Sequence, residues 1–161
     1  MSAPKNNSRI VYIALGSNLG NSRSLLQAAM ERLAAFSAAP LVKSSIIETA
    51  PVDCPPGAPN FLNAVVELIP LPTETPESLL ARLQSLEKEF GRQPKQVLNE
   101  ARPLDLDLIA FGNETRANAS LTLPHPRAHL RRFVMQPLAE IAPAFVLPGQ
   151  VRTVAELLAA L

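Results

Sequence analysis

A chain of 161 residues, 47% of them apolar, carries enough material for the core of one domain. Its formal net charge of +1 removes any bulk electrostatic case for nucleic acid or an anionic membrane as partner, and no apolar run reaches the ~20 residues that a spanning helix needs. The single cysteine, Cys54, cannot form an intramolecular disulfide and fits a reducing compartment. A cytoplasmic monomer is expected, with one domain over residues 10–161. Residues 1–9 are polar, lack a signal-peptide hydrophobic stretch and read as a loose tail.

In chain order, residues 10–15 are apolar and β-branched and read as a strand, with a tight turn over 16–20. From 22 to 36, Leu25, Leu26, Ala29, Met30, Leu33 and Phe36 recur at helical spacing. Residues 41–49 alternate weakly and read as a second strand, 53–60 as a loop by composition, and 61–69 as a third strand. Thr75 followed by Pro76 marks a helix start. Leu79, Leu83, Leu86 and Phe90 then form its apolar stripe, and Gly91 stops it. Residues 104–111 read as a fourth strand, and Thr153 with Glu156 forms a capping box that opens a short last helix. Twelve of the sixteen prolines cluster at 51–59, 70–76 and 124–148 and mark loops and element boundaries. The order β-α-β-β-α-β predicts a ferredoxin-like α+β fold, with helices on one face of a mainly antiparallel sheet and a C-terminal extension.

The fourth strand carries the most informative residues. Asp105 and Asp107 lie two apart in a run of leucines, so on a strand both carboxylates share one face, with Cα atoms roughly 6.5–7 Å apart. That spacing suits two Mg²⁺ ions held about 3.5–4 Å apart, each ~2.0–2.1 Å from its oxygens. Taken alone, Asp-x-Asp more often means two solvated carboxylates on an edge strand. Phe61 and Asn63 put a ring and a carboxamide on one strand face, which suits either a core Phe with a locally bonded Asn or a slot for a flat heterocycle. His125 stands between Pro124 and Pro126 near Arg127, Arg131 and Arg132, and arginine forks suit phosphate. The Gly16–Gly20 stretch lacks both the Walker A ending and the Gly-x-Gly-x-x-Gly pattern, and reads as a plain turn.

Five segments together select a family: 16–21 (GSNLGN), 59–66 (PNFLNAVV), 84–92 (QSLEKEFGR), 101–113 (ARPLDLDLIAFGN) and 123–143 (LPHPRAHLRRFVMQPLAEIAP). In this order they closely resemble the 6-hydroxymethyl-7,8-dihydropterin pyrophosphokinases of folate biosynthesis, from about residue 11 to 150. The resemblance implies pyrophosphate transfer from ATP to the hydroxymethyl group of the dihydropterin, with release of AMP. It implies that Asp105 and Asp107 hold two Mg²⁺ ions, with Arg92, Arg102 and Arg131 near the phosphates. Phe61 and Phe133 would sandwich the pterin, Asn63 would read its edge, and Thr49, Ala50 and Val52 would line the same pocket. Gln84, Glu87, Leu108, Thr122, His125 and Arg131 match positions on the nucleotide side. The implied partners are the two small substrates, with neither nucleic acid nor membrane.

The chain departs from the family pattern at 93–101, where relatives carry basic residues, a Trp and a Gly-Pro. Here Pro94 replaces an Arg, Asn99 stands at the Trp position, Glu100 adds negative charge, and Ser120 stands where relatives offer an Arg. This reads as a loop that closes differently over ATP, with Lys95 supplying charge. Two rival readings follow: a catalytically impaired pterin- or nucleotide-binding relative, and a two-metal nuclease-like hydrolase. The absence of a basic stripe argues against the second.

Overall fold

The computed structural model describes residues 9–18, 21–50, 60–91 and 103–161. Its elements are β1 (Val11–Ser17), α1 (Ser22–Ala34), β2 (Val42–Lys43), β3 (Ile47–Thr49), β4 (Phe61–Leu68), α2 (Pro76–Glu89), β5 (Asp105–Phe111), β6 (Arg116–Ala117), β7 (Thr122–Leu123), α3 (Arg132–Ile141) and α4 (Val154–Ala159). The main sheet runs β2-β4-β1-β5 with β3 also on β4, and every pairing is antiparallel. Counting β2 and β3 as one strand position, this is the ferredoxin-like arrangement expected.

The expected single strand over 41–49 is two pieces because the chain gains a residue there. Lys43 faces Val66 and Ile47 faces Asn63, so four steps on one side oppose three on the other. At this bulge the Ser44 side chain takes over a carbonyl's task. Its Oγ accepts from the Val65 N–H at 2.9 Å, while the Ser44 N–H donates to the Val65 carbonyl at 2.9 Å.

Alternation along the strands divides the core into two layers. Val11, Ile13 and Leu15 of β1, Ala64, Val66 and Leu68 of β4, and Leu106 and Leu108 of β5 pack against α1 and α2. The opposite face presents Tyr12, Val65 and Ile109 to Val134, Met135 and Leu138 of α3 and Val154 of α4. Helices therefore lie on both faces, not on one. The second layer comes from the proline-rich segment read as loops, because Pro137 sits inside α3 and forfeits only the bond to the Phe133 carbonyl. In β5, Ile109 is an extra residue against β1, which lets Ile109 and Ala110 both meet the second layer.

The local signals for α2 and α4 hold. Thr75 Oγ1 accepts from the Ser78 N–H at 3.0 Å and the Thr75 N–H donates back to Ser78 Oγ at 2.9 Å. Thr153 and Glu156 make the equivalent exchange at 2.9 and 3.2 Å. Gly91, just past α2, has φ of 91°. Arg9, expected in a loose tail, is instead held. Its guanidinium donates to the carbonyls of Leu71 and Glu74 at 2.9 and 3.2 Å and lies 5.4 Å from the Phe111 ring centroid. Among the described residues no helix is long and apolar enough to cross a membrane.

Candidate active site

Three neighbouring strands supply the site floor. Gly16 of β1 is registered with Asn63 of β4 on one side and Asp105 of β5 on the other, and Ala14 with Asp107. Asn63, Gly16, Asp105 and Asp107 therefore share the second face of the sheet, beyond the part covered by α3. Two strand spacings put Asn63 and Asp105 about 10 Å apart at Cα. Leu104, Leu106 and Leu108 point into the first layer and anchor the strand, leaving both carboxylates half-buried.

Gly16, expected in a turn, is a strand residue, since β1 continues to Ser17. An isolated glycine inside an apolar strand often marks a close approach by another group.

The carboxamide of Asn63 is buried and oriented. Its Nδ2 donates to Thr49 Oγ1 at 2.8 Å, a diagonal partner across β3 and β4, which leaves Oδ1 on the Gly16 side. Phe61 and Thr49 are registered with each other, and Phe61 lies two residues before Asn63, so all three line the same face. Ala50 is exposed just past β3. Phe133, on the first turn of α3, is half-buried against the second layer, and the Arg131 guanidinium lies 5.5 Å from its ring centroid.

His125 lies within electrostatic reach of Asp105. The Leu123–Pro124 peptide is cis, and the His125 N–H donates to the Ile109 carbonyl at 2.8 Å, fastening this turn to the rim of β5. Its Nδ1 accepts from the Arg127 N–H at 3.2 Å, so Nε2 carries the proton. Burial, followed by Arg131 and Arg127, holds the imidazole below its ordinary pKa against the opposing pull of Asp105. The ring is neutral near pH 7.

A second group of residues gathers at the edge of β5 away from β1. The Glu87 carboxylate of α2 accepts from the Leu106 N–H at 2.8 Å, between the two aspartates in sequence. This clasp was not legible in the sequence, because it depends on α2 docking beside β5. Replacing Glu87 by alanine strands a buried N–H. We expect that to lower stability by about 1–3 kcal/mol in urea denaturation, and an unchanged midpoint would refute the clasp.

Gln84, one turn earlier on α2, is exposed, as is Thr122 on β7. Leu108 is buried with its side chain in the first layer, so only its backbone can meet a ligand. Ser120 is taken up in the hairpin tip, where its N–H and Oγ both donate to Asn118 Oδ1 at 3.1 and 2.9 Å. The structure thus brings the flat-ring residues and the carboxylates onto one face and sets Glu87 and Leu108 beside them. Val52, Arg92, Arg102 and the 93–101 loop lie outside the described residues.

Among the described residues no cluster of three or more His, Cys, Asp or Glu side chains could hold a metal. Asp105 and Asp107 fit a hard cation that takes its remaining oxygens elsewhere. Mg²⁺ commonly binds in this way, through one or two carboxylates plus substrate phosphates and water.

Fold and face together define an α+β protein of ferredoxin-like topology, with Asn63, Asp105 and Asp107 on one face of its sheet. The family model for 7,8-dihydro-6-hydroxymethylpterin-pyrophosphokinase matches residues 12–143. The chain belongs to this family. It is 42% identical over 140 residues to the 2-amino-4-hydroxy-6-hydroxymethyldihydropteridine pyrophosphokinase of Haemophilus influenzae, covering 86% of this chain and 84% of that one. To the Bacillus subtilis protein of the same name it is 41% identical over 133 residues, covering 82% and 77%. Among solved structures, a Plasmodium falciparum HPPK-DHPS variant superimposes with a TM-score of 0.76 at 14% identity, which speaks to the fold. That match covers 98% of this chain and 46% of the longer one, so the chain spans under half of that protein.

Proposed function

We propose that this chain transfers pyrophosphate from ATP to the hydroxymethyl group of 6-hydroxymethyl-7,8-dihydropterin, giving AMP and the pterin diphosphate in folate biosynthesis. The observation that carries this reading is the row Asn63–Gly16–Asp105 across three strands. It puts the Asn63 carboxamide and the Asp105 carboxylate on one face, with Cα atoms about 10 Å apart, which supports one residue pairing to the ring and the other serving the phosphate side. Relatives at 42% and 41% identity bear the name of this activity.

In this reading the pterin stacks between Phe61 and Phe133, with Asn63 pairing to its polar edge and Thr49, Ala50 and Val52 around it. The nucleotide lies along the β5 edge against Gln84, Glu87, the Leu108 backbone, Thr122 and His125. The substrate hydroxyl oxygen attacks the β-phosphorus of ATP. The bond from that phosphorus to the oxygen bridging the α-phosphorus breaks, AMP departs with that oxygen, and the hydroxyl proton passes to solvent. Such transfer needs alignment and charge neutralisation more than covalent help. Arg131, with Arg92 and Arg102, supplies fixed positive charge, and holding both reactants in line is worth on the order of 7–11 kcal/mol. Asp105 and Asp107 would hold Mg²⁺, two ions in this reading, which when bound offsets the negative charge of the phosphate oxygens. Neutral His125 donates through Nε2.

Incubation with ATP, Mg²⁺ and the hydroxymethyl-dihydropterin tests this directly. One AMP per pterin diphosphate is expected. Phosphate release without pterin would instead favour a hydrolase, and binding without AMP would favour an impaired relative.

A further inference from the structure

We infer that Gly16 is a specificity-determining position: a bare floor that seats the Asn63 carboxamide and keeps the span between Asn63 and Asp105 open. The inference rests on the functional reading above and gives a task to Gly16, which that reading uses only as a point in the strand register.

Glycine is a costly choice at this point in the chain. Position 16 lies inside β1, registered on both sides, and its φ lies outside the left-handed region, so any residue could adopt this backbone. Glycine also surrenders more conformational freedom on folding than any other residue and packs nothing in a strand. Backbone geometry therefore does not explain it, but space does. A Cβ placed on Gly16 would sit 3.2 Å from Asn63 Oδ1 and 3.9 Å from the Leu62 carbonyl oxygen.

The amide cannot easily turn aside, because its Nδ2 is tied to Thr49 Oγ1 at 2.8 Å. A methyl group would move Oδ1 by a few tenths of an ångström and raise the floor that the substrate arm must cross to reach the acid pair. Gly16 thus acts through Asn63 as a positioning residue, and by its bareness it limits what lies between the two halves of the site.

This role separates stability from binding. Gly16→Ala meets no backbone strain, and among the described residues its one tight contact is the Asn63 amide oxygen, so its melting temperature should stay close to that of the unaltered protein. Its dissociation constant for the dihydropterin should rise about tenfold, with the KM for ATP unchanged. Gly16→Val should weaken pterin binding further.

Coupling supplies the decisive control. In an Asn63→Ala background the clash partner is gone, and Gly16→Ala should then change pterin affinity by less than about twofold. Three results would overturn the inference: pterin affinity unaltered by Gly16→Ala, a full additive loss in the Asn63→Ala background, or a lower melting temperature with both substrates weakened together. If the unaltered protein forms no AMP, the functional reading itself has failed. If it forms AMP and Gly16→Ala binds pterin equally well, only the inference about Gly16 falls.

Discussion

Asp105→Ala should abolish AMP formation, lowering turnover by at least roughly 10³-fold, while pterin affinity stays within about twofold. The asymmetry follows from the layout of the floor. Asp105 lies two strands from Asn63, and the Asn63–Thr49 bond and the Phe61 ring make no use of it. Truncation leaves β5 itself in place, since Leu104, Leu106 and Leu108 still anchor it in the first layer and Glu87 still holds the Leu106 N–H. What disappears is an oxygen donor on the phosphate side. Turnover as a function of Mg²⁺ concentration, together with equilibrium titration of the pterin, separates the two effects. Near-normal turnover in the variant would remove the acid pair from the mechanism.

Asn63→Ala should do the reverse. The buried carboxamide presents an acceptor beside Gly16, and its loss would remove both the proposed pairing to the ring and the Thr49 contact. A site built on hydrogen bonds discriminates strongly when one partner is missing. At about 1–3 kcal/mol per unpaired group, pterin affinity should fall on the order of 10²-fold, with ATP affinity unchanged. Parallel titrations with each substrate give the result. Equal weakening of both ligands would mean that Asn63 serves the sheet and not the ring.

Much of this was legible because the signals are local. The i, i+2 placement of Asp105 and Asp107 fixes their common face once a strand is assigned, and leucines at 104, 106 and 108 leave no other register for a buried edge. Thr75 and Thr153 announced their helices for the same reason, since a cap is complete within four residues. What escaped the sequence depends on distant partners. The break in the second strand comes from Ser44 replacing a carbonyl opposite Val65. Glu87 matches a nucleotide-side position by resemblance, and its carboxylate's bond to the Leu106 N–H comes only with the docking of α2. Gly16 suggested a turn because glycine usually does, and the reason for it lies 47 positions away at Asn63. Helix α3 was hidden by Pro137, whose cost a buried amphipathic segment can absorb.

The second layer has a consequence for how the molecule is made. Everything from β1 through β5 belongs to the ferredoxin-like unit, yet the covering for Tyr12, Val65 and Ile109 comes from residues beyond 130. During synthesis the sheet can form while one greasy side is still bare, and such a surface invites association with other chains. Arg131 and Phe133 ride on the same late-emerging segment. The act that shields the nascent sheet from its neighbours therefore also delivers the ring and cation to which the proposed function gives a part, so in that reading competence for chemistry and resistance to clumping arrive together.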